Sequence, residues 1–399
     1  MTTRVRPLWI AVFSVAWLGY WMADLVPLQL LLPERLQEID PQSKVFDFAV
    51  INAVSAVVLL IGLPVCGSLC DRTRSRLGRR RVWFGGGVLF FAGALVVTGL
   101  QNTVLGIGTA WSVAMLGLSA ATAGLTAVVA DRVPDEQRGT VSSAIYAPQA
   151  LGVVAGLALV STLALSVLGG YLAVAIALVI CAVPFLLSYR ETDSSTALLS
   201  LRSIVASLLD SLRHRDFAWA FGGRFLVNVA NSLGTCYLLF FLTDGLRVAD
   251  PTASLLEVTV VYLIACVVCT FTFGPLSDRM RRRKIFVAVA ASMQAVAGFV
   301  LAVHPTMDAT FVSAALLGGG FGAYMAVDQA LVTGVLPSAD SRATDLGVMN
   351  IGAIVPPAMA PLLASVFLST VGGYPALFAA VGVLAALGAA VTWQVKSVR

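Results

Sequence analysis

The chain has 399 residues, 58% of them hydrophobic and only 12% charged, with a mean hydropathy of +0.90. Soluble domains are about 45–50% apolar and about 25% charged, so this composition excludes an ordinary cytosolic enzyme, a disordered chain and a nucleic-acid-binding protein. The formal net charge of +5 is informative only once the charges are placed along the chain.

In chain order, Arg4 and Arg6 precede an apolar run from Pro7 to Pro33. The layout is that of a secretory signal, but the run is too long and lacks a small-residue cleavage site, so it reads as a first span. One crossing needs roughly 20 apolar residues, and about twelve segments qualify: 8–30, 48–69, 82–101, 104–130, 140–166, 168–188, 217–243, 254–276, 285–303, 310–336, 346–370 and 373–394. The longest polar break, Tyr189 to Asp216, reads as a cytoplasmic linker with a surface-lying helix over the partly apolar stretch Ala197 to Leu209. The predicted organisation is an N-terminal six-helix bundle over 1–189, a linker over 190–216 and a C-terminal six-helix bundle over 217–399.

Small counts exclude several chemistries. All six cysteines (Cys66, Cys70, Cys181, Cys236, Cys266, Cys269) sit in apolar runs and read as small buried hydrophobes, including Cys266 and Cys269 of the C-x-x-C pattern. The two histidines, His214 and His304, have no metal-ligand spacing. No G-x-x-x-x-G-K-[ST] occurs, so the chain carries no ATPase of its own. The reading is of a protein that is not an enzyme and needs no cofactor or metal.

Of 26 Lys and Arg, 22 fall on the side shared by the two termini, and only Arg35, Lys44 and Arg247 on the other. The positive-inside rule then predicts a multi-pass protein of the cytoplasmic (plasma) membrane with both termini in the cytoplasm. Two loops repeat. Gly67-Ser-Leu-Cys-Asp71-Arg72 after span two matches Gly274-Pro-Leu-Ser-Asp278-Arg279 after span eight. Pro134 and Arg138 after span four match Pro337 and Arg342 after span ten. Duplicated bundles sharing one site are how many secondary transporters are built.

The loop Gly67 to Trp83 reads GSLCDRTRSRLGRRRVW. Gly67 is expected to allow close helix approach. Asp71, at a helix end among arginines, can clamp a neighbouring helix N-terminus and an arginine. Gly67, Asp71 and Arg72 are read as gating residues, and Arg74, Arg76 and Arg80 either as part of that gate or as a topology anchor. This loop, with Gly78, Arg79 and Arg80, and its second copy at Gly274, Asp278 and Arg279, resembles the signature of the major facilitator superfamily. The variant D-R-T-R-S-R-x-G-R-R-R-x-W is closest to the glycoside and sucrose–cation symporter branch. The resemblance covers essentially the whole chain. It implies an all-α polytopic membrane protein of two pseudo-symmetric six-helix bundles, a rocker-switch carrier whose central site faces each side in turn. Two features depart from relatives: span two has no carboxylate after Asp47, where cation-coupled glycoside symporters carry acidic residues, and Pro148, Gly152 and Gly156 only partly match the span-five motif of exporters.

A charge at mid-bilayer is costly unless it faces a partner or a cavity, which singles out Asp24, Arg224 and Asp328. Asp328 is the first choice for a protonatable coupling residue, with a permanent ion pair to Arg224 as the structural alternative. Asp24 is the second choice, with a structural hydrogen bond as its alternative. Arg224 can also snorkel to the cytoplasmic surface. Arg224, Asn228, Asn231 and Thr235 share one face of span seven. Tyr20 and Trp21 in span one, Tyr146 and Gln149 in span five (with Ser142), Tyr324 and Gln329 in span ten and Asn350 in span eleven complete the substrate-cavity candidates. The resemblance implies that spans one, four, seven and ten line the cavity. Ser112, Met115, Ser119, Thr122 and Thr126 form a stripe on span four that reads as cavity or as helix packing, while Gly152-x-x-x-Gly156 and Gly318-x-x-x-Gly322 read as intramolecular packing. Aromatics beside amides and carboxylates suit a hydroxyl-rich ring. The expected activity is secondary active transport of a small polar solute such as a sugar or glycoside, coupled to H+, with Na+ as another possible ion. The alternative is proton-antiport export of drugs or amphiphilic metabolites, and a transport-dead sensor or scaffold is a third class. The expected partners are the solute and the lipid bilayer, without nucleic acid, and the expected state is a monomer.

Overall fold

The computed structural model describes residues 5–76, 78–133, 137–189, 213–280, 282–334 and 342–395. Within these ranges the side chains of Ser142, Tyr146, Asp278, Gln329 and Asn350 lie outside the description, and so does the linker over 190–212 with its expected surface helix. No strand occurs among the described residues. Apolar runs of this length bury their backbone polar groups by bonding within one segment, which only a helix does in lipid without a partner strand.

The first half comprises α1 (Pro7–Val26), which passes through a π-turn (Pro27–Leu31) into α2 (Leu32–Ile39), then α3 (Lys44–Arg72), α4 (Arg79–Leu100), α5 (Val104–Arg132), α6 (Arg138–Thr162) and α7 (Val167–Ser188). The second half comprises α8 (Arg215–Cys236), one further turn (Leu238–Phe240) and a π-turn (Phe241–Gly245). There follow α9 (Pro251–Met280), α10 (Arg283–Val303), α11 (Met307–Gly334), α12 (Arg342–Val366) with a terminal π-turn (Phe367–Val371), and α13 (Gly373–Trp393). Counting each continuous or bent run once gives twelve long helical segments among the described residues. Nine are long and apolar enough to cross a membrane, and ten if the α8 segment, bent by 42° at its break, counts as one span. The other two, α6 and α12, have only shorter apolar stretches among the described residues, Pro148–Thr162 and Met359–Ser369.

Local chemistry sets the ends. The Thr103 and Ser166 hydroxyls accept from the Gly106 and Gly169 N–H groups at 3.1 and 3.2 Å, capping α5 and α7. Pro7 and Pro251 open α1 and α9, where a missing N–H costs nothing. Gly78 takes φ +91° immediately before α4, a conformation that disfavours any other residue. Helix α3 overruns its predicted apolar core, because its extra turns carry Lys44, Asp47, Asp71 and Arg72 at the polar ends of the segment.

The chain divides into two compact units, Met1–Leu198 and Leu199–Arg399. Each is held by the same five principal helix pairings. In the first unit these are α1 with α6, α1 with α7, α3 with α5, α4 with α5 and α4 with α7. In the second they are α8 with α12, α8 with α13, α9 with α11, α10 with α11 and α10 with α13. The correspondence is one to one, so the repeat seen in two loops extends to the packing of each bundle. Small residues make the closest approaches. A methyl group at Gly318 or Gly322 would overlap the backbone carbonyl of Tyr262 or Cys266 on α9, and Gly152 and Gly156 bring α6 against Leu18, Met22 and Val26 of α1. Both G-x-x-x-G patterns therefore pack within their own unit. Large apolar side chains face outward: Ile264, Val267, Val268 and Phe271 form an exposed stripe on α9, Phe271 at 76%. Apolar surface on this scale has hydrocarbon, not water, as its solvent.

Candidate functional site

In the first unit, α1 carries an aromatic cluster. Trp17, Tyr20 and Trp21 pack with ring centroids 4.9 to 5.8 Å apart. The Thr122 hydroxyl donates to Leu118 O at 2.7 Å, so the Tyr20 hydroxyl is the donor in its own 2.7 Å bond to Thr122 Oγ1 on α5. Trp21 Nε1 donates to Ile145 O on α6 at 2.8 Å. One turn along α1, Asp24 is half-buried and makes no hydrogen bond or ion pair with any described residue. The structural hydrogen bond expected as its alternative role is thus missing among the described residues. Gln149 on α6 is half-buried as well.

The polar stripe on α5 divides between two tasks. Ser112 Oγ lies 3.3 Å from Ser55 Oγ, and a methyl group at Gly62 would meet Ser119 Oγ at 2.6 Å. Ser112 and Ser119 therefore pack α5 on α3, with Met115 buried beside them. Thr122 instead holds Tyr20, and Thr126 is exposed.

In the second unit, α8 and α11 bring three predicted residues together. Arg224 and Asp328, 4% and 3% exposed in their side chains, form an ion pair through Nη1 and Oδ2. Tyr324, one turn before Asp328 on α11, donates its hydroxyl to Oδ1 at 2.6 Å. Each carboxylate oxygen thus receives a donor. The triad lies among Phe217, Ala220, Val227, Ala323 and Val327, an apolar core cluster. A single buried ion there would be costly, and the pair with its hydroxyl is the arrangement that offsets desolvation. Arg224 is buried and bonded, so the snorkelling expectation does not hold: α11 supplies a counter-ion at its own depth. Its Nε is buried without a partner. Below it on the same face, Asn228 Nδ2 donates to Arg224 O at 2.8 Å, Asn231 Oδ1 accepts from Tyr262 Oη of α9 at 2.9 Å, and Thr235 Oγ1 donates to Asn231 O at 3.1 Å.

The first copy of the repeated loop joins α3 and α4. Asp71 at the end of α3 pairs with Arg80 in the first turn of α4, Oδ1 to Nη1, at 2.5 Å, with Arg80 only 3% exposed in its side chain. Arg80 Nη1 also donates to Cys70 Sγ at 3.3 Å, Arg79 Nη1 to Asp71 O at 3.4 Å, and Trp83 Nε1 to Thr73 Oγ1 at 2.7 Å. The carboxylate meets an arginine of the next helix, one of the two contacts expected of a clamp. Two expectations change. Arg80, not Arg72, is the buried arginine, while Arg72 is exposed. Gly67 does not mediate close approach, since an added methyl there meets no atom within 4 Å. In the second copy, Gly274 has only an ordinary 3.6 Å contact to Ala326 and Arg279 is exposed.

Sequence reasoning missed Tyr262 and Trp17, and it left Arg80 undecided. A signal for Arg80 existed: Arg80, Phe84, Val88 and Phe91 continue one buried helical stripe. No group of three metal-ligating side chains occurs among the described residues.

Two duplicated bundles of long apolar helices, with a buried charged triad in one and, in the other, a membrane carboxylate without a partner among the described residues, define the class as a multi-pass secondary transporter. The chain belongs to the Major Facilitator Superfamily, whose family model matches it over residues 8–256 and again over 225–398. Members of this family are transporters rather than enzymes. Among curated proteins, none matches the chain significantly.

Proposed function

We propose that the chain carries a small polar organic solute, such as a sugar or glycoside, by proton-coupled alternating access, with both termini in the cytoplasm. The observation that carries this reading is the contrast between its two membrane carboxylates. Asp328 is held by Arg224 and Tyr324. Protonating it would strand a buried guanidinium, so its charge changes only when another anion or a rearrangement serves Arg224. Asp24 has no such partner among the described residues, and a proton can enter and leave it without breaking a described contact. Asp24 then carries the proton and Asp328 acts as the conformational strut, which reverses the order expected from sequence. In the first unit Tyr20, Trp21 and Gln149, and in the second Asn228 and Asn231, are the groups proposed to meet such a solute, as stacking faces and hydrogen-bonding groups suit hydroxyl-rich rings. Tyr146, Gln329 and Asn350 remain in the proposed cavity from sequence alone.

The test is solute flux in proteoliposomes under imposed pH or sodium gradients. A pH gradient should drive uphill movement, and Asp24→Asn should abolish it while solute exchange at equal concentrations persists. Uphill movement by Asp24→Asn equal to that of the parent would sink the assignment. Solute expelled from cells rather than accumulated would favour the export alternative.

A further inference from the structure

In the second unit, a groove of about 530 Å³ runs along α8 against Val391 of α13. It is lined by Arg215, Ala218, Trp219, Phe221, Gly222, Phe225, Leu226 and Val391, so every lining residue but Arg215 is apolar. Ala218, Trp219, Gly222, Phe225 and Leu226 follow helical spacing from Arg215, which makes the groove parallel to the helix axis. The eleven steps from Arg215 to Leu226, at about 1.5 Å each, give it a length of about 16 Å, close to the hydrocarbon depth of one leaflet, about 15 Å. Gly222 opens the middle, its added methyl reaching only Val391 Cγ1 at 3.4 Å. At the mouth, Arg215 is exposed and makes no contact with a described charge or hydrogen-bonding group, and exposed Arg213 and His214 precede it. Trp219, one turn in and 38% exposed, sits where aromatic side chains mark the membrane–water boundary.

We propose that this groove binds an anionic phospholipid, one acyl chain lying along Gly222 to Leu226 and the phosphate pairing with Arg215. Length, apolar lining and a basic mouth each match one part of such a lipid, and basic sites between membrane helices are suited to anionic headgroups. The site is separate from the Arg224 triad, because Arg224 is buried on another face of α8 and takes no part in the lining.

The full chain, purified in mild detergent, is titrated with phosphatidylglycerol or phosphatidylcholine of identical acyl chains, and bound lipid is read by native mass spectrometry. One phosphatidylglycerol should bind about five-fold more tightly than phosphatidylcholine, the ratio expected of one basic side chain at about 1 kcal/mol. Arg215→Ala should erase that preference and Arg215→Lys should keep it. Both substitutions are at one exposed position, so folding is preserved and checked by size-exclusion profile. Ala218→Phe, which fills the groove, should weaken both lipids. Equal binding of the two lipids by the parent, or unchanged binding by Ala218→Phe, overturns the proposal. A rise in bound lipid when Leu201 and Leu208 are both changed to Ser would give the groove to the linker and overturn it as well.

Discussion

At the scale of single residues, the energetics centre on Arg224, Asp328 and Tyr324. Removing one member of a buried ion pair costs about 3–5 kcal/mol, because the other charge is stranded, whereas replacing both by apolar groups is often neutral. Arg224→Met should therefore lower the thermal unfolding midpoint of the purified protein sharply. Arg224→Met combined with Asp328→Leu should recover most of the loss. An additive double variant would mean that the two side chains do not act as a pair. Asp24→Asn should leave the midpoint unchanged, since no described contact is lost, and should act on coupling alone. These three charges were legible in the sequence as charges inside apolar spans, because a membrane tolerates few of them. That Arg224 meets Asp328 was one of two open alternatives, since a helix position fixes a depth and a face but not which neighbour presents its own face there.

At the scale of elements, the loop between α3 and α4 and the glycine seams decide how helices pair. Asp71→Ala would leave the nearly inaccessible Arg80 guanidinium without its carboxylate, at a cost of about 1–3 kcal/mol. We expect lowered stability together with lost flux, measured on the same proteoliposome preparation. Arg72→Ala, at an exposed position, should preserve both. Gly322→Leu would drive a side chain into the Cys266 backbone, and overpacking of this kind costs about 1–3 kcal/mol or more. The check is a lower unfolding midpoint than for Gly67→Leu, whose added atoms meet open space. Sequence spacing made both G-x-x-x-G patterns recognisable as close contacts. It also made Gly67 look like one, because a glycine's reason for being small depends on what lies opposite it.

At the scale of the whole molecule, the asymmetry of Lys and Arg predicts that both termini share the cytoplasmic side. Reporter domains that are active only in the cytoplasm should work at either end of the chain, and a terminus that reports from the opposite side would refute that topology. The two units each have their own core and their own set of five pairings. Halves expressed as separate polypeptides, divided between Leu198 and Leu199, should both accumulate in membranes, as immunoblots against each half will report.

The sequence by itself determined the membrane class, the run of about twelve spans, the internal repeat and the short list of charged residues worth testing. It could do so because hydrocarbon enforces length, apolarity and internal backbone bonding on every span, and because charge is too costly there to be incidental. Only the tertiary structure decided that Asp328 is bonded while Asp24, among the described residues, is not. It likewise decided that Arg80 rather than Arg72 closes on Asp71, and that Ser112 and Ser119 pack on α3 while Thr122 holds Tyr20. These outcomes depend on the rotation and separation of neighbouring helices. Within lipid, those are set by small-residue packing across whole surfaces and not by any local pattern along one segment.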